Sequence, residues 1–244
     1  MSPSEHGREP LSKAQAPTLL AIETSTIACS VALSAGGSIS VDHRVAPRQH
    51  NQLVLSMIDA LLRAAGVAPR DLDAVAFGCG PGSFTGIRIA AGVAQGISLG
   101  TGIPVVPVST LRVLALTAAR TRTTPCNVLA TLIARADEVY FGGYRCTDAE
   151  SIVLVHDAVA RTAELVLPAE VDSDWYVVGD GARHFDAVLA ARNLACPIDA
   201  AALPTADALL TLALADWKRG AAVDAALALP VYLDGTRPWR KLAG

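Results

Sequence analysis

The sequence predicts an α/β protein of two similar lobes, each a mixed sheet with flanking helices. Three observations carry this. Short strand-like runs alternate with helical periods along the chain. A β-meander with helices is followed, after Pro125, by a second group of the same kind. A hydrophobic strand, Ala74 to Phe77, runs through a glycine-rich turn straight into a helix of small residues.

In order, Thr18 to Glu23 is a short apolar run followed by the turn-like Thr24-Ser25-Thr26. Ala28 to Leu33 and Ser38 to Val45 read as strands joined by a hairpin turn at Ala35-Gly36-Gly37. From Gln49 to Ala65, apolar residues at Leu53, Val54, Met57, Ile58, Leu61, Leu62 and Ala65 give a helical period that Gly66 ends. Leu72 to Phe77 is a strand, and the turn Gly78–Gly82 launches a helix capped by Ser83 or Thr85. Val105 to Val108 is a strand, and Ser109 caps a helix through Ala119. The second group has strands at Val128–Ile133, Val139–Tyr144, Ser151–Val155 and Trp175–Val178. Its helices are expected at Ala158–Leu165, His184–Leu194 and Ala206–Arg219.

Composition bounds the function. The 244 residues are 52% hydrophobic with a formal net charge of -3, which gives no general attraction to nucleic acid. Lysine occurs only at Lys13, Lys218 and Lys241, and the one basic run is Arg237-Pro238-Trp239-Arg240-Lys241. Five cysteines with no CxxC pair argue against a disulfide framework or a zinc site and suit a reducing cytosol. Residues 1–17 are polar, lack the apolar core of a signal peptide and read as a disordered tail. The apolar run from Ile87 to Val108 is broken by Arg88, Gln95, several glycines and Pro104, which makes it a buried helix and strand rather than a membrane span.

Two segments could hold phosphate. Glu23 at a strand end, followed by Thr24-Ser25-Thr26, could place a carboxylate near Mg²⁺ and a nucleotide, though its spacing alone fits a polar strand-to-strand turn better. The glycine-rich turn before a helix offers free N–H groups, yet no Lys-Ser or Lys-Thr follows it as a Walker A loop requires. Arg88 could replace the lysine, or form an ion pair at a surface or interface. The helix beyond carries Gly92, Gly96 and Gly100 on one face. Each costs about 1 kcal/mol relative to alanine, and close approach of another helix, either Gln49–Ala65 in internal packing or one from a partner protein, would compensate. His50 stands alone near a helix start, there is no HxxxH, HExxH or GxSxG motif, and Gly179-Asp180-Gly181 fits a strand-to-helix turn. No catalytic set emerges.

These residues resemble the TsaB (YeaZ) family, the dimerisation subunit of the bacterial machinery that makes threonylcarbamoyladenosine in tRNA. The likeness runs from Leu19 to Lys241 and rests on Leu20-Ala21-Ile22-Glu23-Thr24-Ser25-Thr26, His50-Asn51-Gln52-Leu53 and above all Gly80-Pro81-Gly82-Ser83-Phe84-Thr85-Gly86-Ile87-Arg88. Val108-Ser109-Thr110-Leu111, Glu138-Val139-Tyr140 and Pro230-Val231-Tyr232-Leu233 continue it. Three departures, Ile133 and Glu23 where aspartate is common and Asp234 where arginine is common, weaken a catalytic reading of the cleft and leave the interface helices untouched.

The resemblance implies a two-lobed actin-like ATPase fold, of the ASKHA and ribonuclease H-like class, with an N-terminal lobe over 18–112 and a smaller second lobe over 113–244 whose last helix can pack back on the first. It implies a non-catalytic cytoplasmic subunit with no cofactor of its own, ATP and metal being expected on partner subunits. Those partners are a TsaD-like catalytic subunit and a TsaE-like ATPase, with a homodimer as another pairing and tRNA reached through the complex. The helices Gln49–Ala65 and Ser83–Gly100 would form the interface, with Leu53, Met57, Leu61, Arg88, Gly92 and Gly96 as its residues. The rival reading is a stand-alone ATP-dependent transferase or a glycopeptidase-like hydrolase.

Overall fold

Two sheets of the same topology are stacked through a layer of helices. The structure, a computed structural model, describes residues 16–233. Most of the expected tail at 1–17, the basic run at 237–241 and Asp234 therefore lie outside the described residues. In the first sheet β1 (Leu19–Glu23), β2 (Ala28–Ala35) and β3 (Ser38–Val45) form an antiparallel meander. β4 (Ala74–Gly80) adds in parallel to β1, and β5 (Val105–Ser109) in parallel to β4, giving the order β3-β2-β1-β4-β5. The second sheet repeats this with β6 (Cys126–Arg135), β7 (Glu138–Cys146), β8 (Ser151–Arg161), β9 (Trp175–Val178) and β10 (Ile198–Asp199). Its order is β8-β7-β6-β9-β10, again an antiparallel meander with two parallel strands added.

Parallel central strands are covered on both faces and so read as continuous apolar runs. β1 and β4 are buried at every residue. One face of the first sheet meets α1 (His50–Ala65) and α2 (Phe84–Thr101), with Leu20, Ile22, Val31, Leu33, Val75 and Phe77 packed against Val54, Met57, Ile58, Leu62, Ala90 and Ala94. Each large side chain so buried contributes about 1.5–3 kcal/mol. α1 ends where Gly66 turns left-handed (φ 66°) and its N–H reaches back to the carbonyls of Leu62 and Arg63. The other face meets α3 (Thr110–Ala119) and α5 (Ala206–Lys218), which share one core with Val128, Ala130 and Tyr144 of the second sheet. The far face of the second sheet is closed by Leu165, Val171, Phe185 and Leu189, the last from α4 (Asp186–Ala191), over Trp175 and Val177.

The chain returns to the first lobe at its end. Ala206 N–H donates to Ser30 Oγ at 3.0 Å, and Arg112 of α3 pairs with Asp216 of α5 at 2.6 Å. Val223 bridges to Val105, Ala228 is buried in the first lobe's core, and Val231 N–H donates to the Cys79 carbonyl at 2.7 Å. Residues 221–233 thus form a strap across α2 and β4.

Three elements differ from expectation. The helix expected at Ala158–Leu165 is strand as far as Arg161, because β7 offers ladder partners throughout: Phe141 to Ala158, Val139 to Ala160 and Glu138 to Arg161. Tertiary pairing overrides the helix propensity of the alanines there. β4 begins at Ala74 rather than Leu72, after a 3₁₀ turn and an exchange in which Thr18 and Asp73 hold each other's backbone. The helix expected at His184–Leu194 splits into a 3₁₀ turn, Ala182–Phe185, and α4, and ends before Asn193 at φ 54°.

Candidate functional site

Two features could carry function: the cleft between the lobes and the outer face of α2. The cleft, of about 830 Å³, is walled by Ser25, Arg48, His50, Ser83 and Thr85 on one side and by Leu132, Ile133 and Asp180 on the other. The two strand-to-helix turns face each other across it, and they are built alike. Gly80 has φ 110° and Gly179 φ 94°, angles that favour glycine. Asp180 accepts a hydrogen bond from Ile133 N–H at 2.8 Å, and burial pushes its carboxyl above the usual carboxylate range.

The glycine-rich turn is pressed against the end of β1. Its neighbours come from the chain itself: Ser83 N–H donates to the Ser25 carbonyl at 2.7 Å, Gly86 N–H to Ser83 Oγ at 3.4 Å, and Thr24 Oγ1 to the Gly86 carbonyl at 2.8 Å. A Cβ at Gly78 would collide with the Glu23 carboxylate, at Gly82 with the Ser25 carbonyl and at Gly86 with the Thr24 carbonyl. Glycine is needed there so that the end of β1 can be pressed onto the turn. Glu23 lies beneath this contact, 1% exposed. Its Oε1 accepts from the Ser25 N–H at 2.7 Å and from Ser25 Oγ, while Oε2 has no partner among the described residues. The carboxylate is turned into the protein, so these residues do not fit the Mg²⁺ and phosphate of an actin-like ATPase.

Burial raises the Glu23 pKa above the ordinary carboxylate value, against the hydrogen bonds from Ser25 that lower it. The folded chain therefore binds the proton more tightly than the unfolded chain, and this group's contribution to stability is present at low pH and lost as pH rises through the folded pKa. Glu23→Gln removes the charge. The variant is expected to be more stable than wild type at pH 8, with the difference shrinking toward zero below about pH 4.5. Urea midpoints measured for both proteins across that range check it, and a difference that is flat with pH would contradict it.

The sequence-predicted interface residues fall into three groups. Met57 is fully buried and belongs to the first lobe's core, so its place is beneath the helix pair rather than on its surface. Leu53 and Leu61 are partly buried against that same core, with Ile89, Val93 and Ile97 of α2 in the same position. Gly92 and Gly96 are exposed, as is Gly100, and a Cβ at any of the three would meet nothing within 4 Å. Internal packing therefore does not account for the glycine stripe. Beside it, Leu99 is 78% exposed.

Arg88 is also exposed, and among the described residues its partners are aromatic. Its guanidinium lies 3.6 Å from the ring centre of Phe84, and its Nε donates to the Tyr232 hydroxyl at 2.7 Å. The Phe84 and Tyr232 rings meet at 5.9 Å, tilted by 43°. This clamp fixes the strap over the first turn of α2. Sequence reasoning did not find it, since the partners stand 144 residues apart. The segment Pro230-Val231-Tyr232-Leu233 was the available signal, and it was not placed in space.

The family model described as "TsaD: tRNA N6-adenosine threonylcarbamoyltransferase" matches residues 38–228. The chain is similar to the "tRNA threonylcarbamoyladenosine biosynthesis protein TsaB" of Escherichia coli (strain K12), 36% identical over 93% of this chain and 98% of the relative. It is 34% identical to the protein of that name from Haemophilus influenzae, over 93% and 98% of the two chains. Among solved structures, YeaZ from Pseudomonas aeruginosa superposes with a TM-score of 0.79 at 41% identity, covering 89% of this chain and all of that one.

Proposed function

The chain belongs to the TsaB family, and we propose that it is a non-catalytic subunit in tRNA threonylcarbamoyladenosine biosynthesis, acting by binding and ordering a TsaD-type transferase. The observation that carries this reading is the open glycine stripe of α2. Gly78, Gly82 and Gly86 each have a reason inside the chain, a carboxylate or carbonyl that a Cβ would strike. Gly92, Gly96 and Gly100 have none. Three helix-interior glycines cost about 1 kcal/mol each relative to alanine. What offsets that cost lies outside this chain, and a second helix approaching closely is the contact that small residues permit.

The partner's chemistry follows from the same surface. The stripe is uncharged, edged by Leu99, and lies next to the half-covered seam of Leu53, Leu61, Val93 and Ile97. That favours an apolar helix pair, which a related transferase of the same fold or a second copy of this chain could supply. The transferase of Nitratidesulfovibrio vulgaris is 38% identical to this chain over 90 residues, 37% of this chain and 25% of that relative. In this reading ATP and metal bind partner subunits, a TsaE-type ATPase joins the assembly, and tRNA is reached through the complex in the cytoplasm. Among the described residues no helix is long and apolar enough to cross a membrane.

The direct test is size-exclusion chromatography of the full chain mixed with the TsaD-type transferase of the same cell. Co-elution is expected, and separate elution at micromolar concentrations would end the proposal. Calorimetry of the lone chain with ATP and Mg²⁺ addresses the rival enzyme reading. No heat of binding is expected, whereas tight binding with turnover would favour the enzyme.

A further inference from the structure

The β6–β7 ladder sets two thiols opposite each other, beside a pocket that the proposed function does not use. Cys126 opens β6, Cys146 closes β7, and the two are register partners. Directly opposed residues of an antiparallel pair have Cα atoms about 4.5–5.5 Å apart, within the roughly 4.4–6.8 Å that a disulfide spans. Opposed side chains emerge on the same face, and both thiols pack against the same core. No other two cysteines are register partners in either sheet.

Access to the two differs. Cys146 is fully buried, and burial pushes its thiol up to about 12. Cys126 is partly exposed and lines an open pocket of about 670 Å³ with Arg122, Arg145, Thr123 and Asn127. Burial raises the Cys126 thiol above its ordinary value, and the charge of Arg122, whose guanidinium lies 4.8 Å from the Tyr176 ring centre, offsets only part of that rise. Two guanidiniums against one carboxylate, Asp174, suit an anionic ligand.

We propose that Cys126 and Cys146 form a reversible redox pair, oxidised to an internal disulfide by an anionic low-molecular-weight disulfide that docks between Arg122 and Arg145. The Cys126 thiolate attacks one sulfur of the small disulfide, forming a mixed disulfide and releasing one small thiolate. The Cys146 sulfur then loses its proton and attacks the Cys126 sulfur, forming the internal bond and expelling the second small thiolate. Two protein thiols are oxidised, one small disulfide is reduced to two thiols, and the protons end on those thiols. The new bond ties the open end of the β6–β7 hairpin, whose Leu132 and Ile133 form a wall of the interlobe cleft.

The test treats the full chain with glutathione disulfide, or with neutral hydroxyethyl disulfide, and maps the peptides by mass without reduction. The expected product is a crosslinked pair of peptides holding Cys126 and Cys146, lighter by two hydrogens, with two of the five thiols lost and both restored by dithiothreitol. Glutathione disulfide should react at least about tenfold faster than the neutral reagent, and Arg122→Ala with Arg145→Ala should remove that preference. Cys146→Ser should stop at a mixed disulfide on Cys126, and Cys126→Ser should leave Cys146 untouched. The wild-type map needs no variant to fold. A mixed disulfide persisting on Cys126 with Cys146 still reduced, a crosslink elsewhere, or equal rates for the two reagents would each overturn the proposal.

Discussion

Gly92→Leu or Gly96→Leu is expected to separate this chain from a TsaD-type transferase while leaving its own fold intact. Each glycine is exposed with open space where a Cβ would stand, so the substitution creates no clash within the monomer. In a close helix pair the same leucine is overpacked, at about 1–3 kcal/mol, which weakens binding roughly 5- to 150-fold and takes a micromolar complex toward the limit of chromatography. Alanine variants sharpen the reading. In the isolated chain Gly92→Ala and Gly96→Ala should each stabilise α2 by up to about 1 kcal/mol, raising the melting temperature by roughly 2–4 °C. In the complex they should weaken association. A surface without a partner would show the first effect and not the second, and leucine variants that still co-elute would remove α2 from the interface.

Much of the fold was legible because it is written in periods. The strands at Leu19–Glu23, Ala28–Ala35 and Trp175–Val178 and the helix ended by Gly66 follow from apolar spacing and a left-handed glycine. The identical topology of the two sheets was visible as a restart after Pro125. What was not legible depended on partners distant in sequence. Ala158-Val159-Ala160 is neutral between helix and strand until β7 supplies hydrogen bonds. Met57 sits on an amphipathic helix, where periodicity shows that a face is apolar without showing which apolar residues meet the chain's own sheet. Arg88 could be read only as a charge, because Phe84 gains its meaning from Tyr232 at the other end of the chain. The glycine stripe was visible, but only coordinates distinguish a glycine that spares a collision from one that leaves a surface bare.

That distinction predicts opposite signs for one substitution at two positions of a single helix. Gly86→Ala, six residues before Gly92, is expected to destabilise the chain by about 3 kcal/mol and to lower its melting temperature by roughly 10 °C. A Cβ there runs into the Thr24 carbonyl, and both sides of the contact are backbone, so no flexible side chain can swing away. Relief requires α2 to withdraw from the end of β1. Withdrawal breaks the hydrogen bond from Thr24 Oγ1 to the Gly86 carbonyl and the one from Ser83 N–H to the Ser25 carbonyl, and it uncovers the Glu23 carboxyl. Gly82→Ala meets the Ser25 carbonyl at 2.6 Å and should act in the same direction. Thermal unfolding of Gly86→Ala beside Gly92→Ala decides the matter. If both stabilise, the turn has room to spare and remains available to a phosphate. If the first destabilises while the second does not, the turn is a weld between β1 and α2, and its glycines serve to aim the helix.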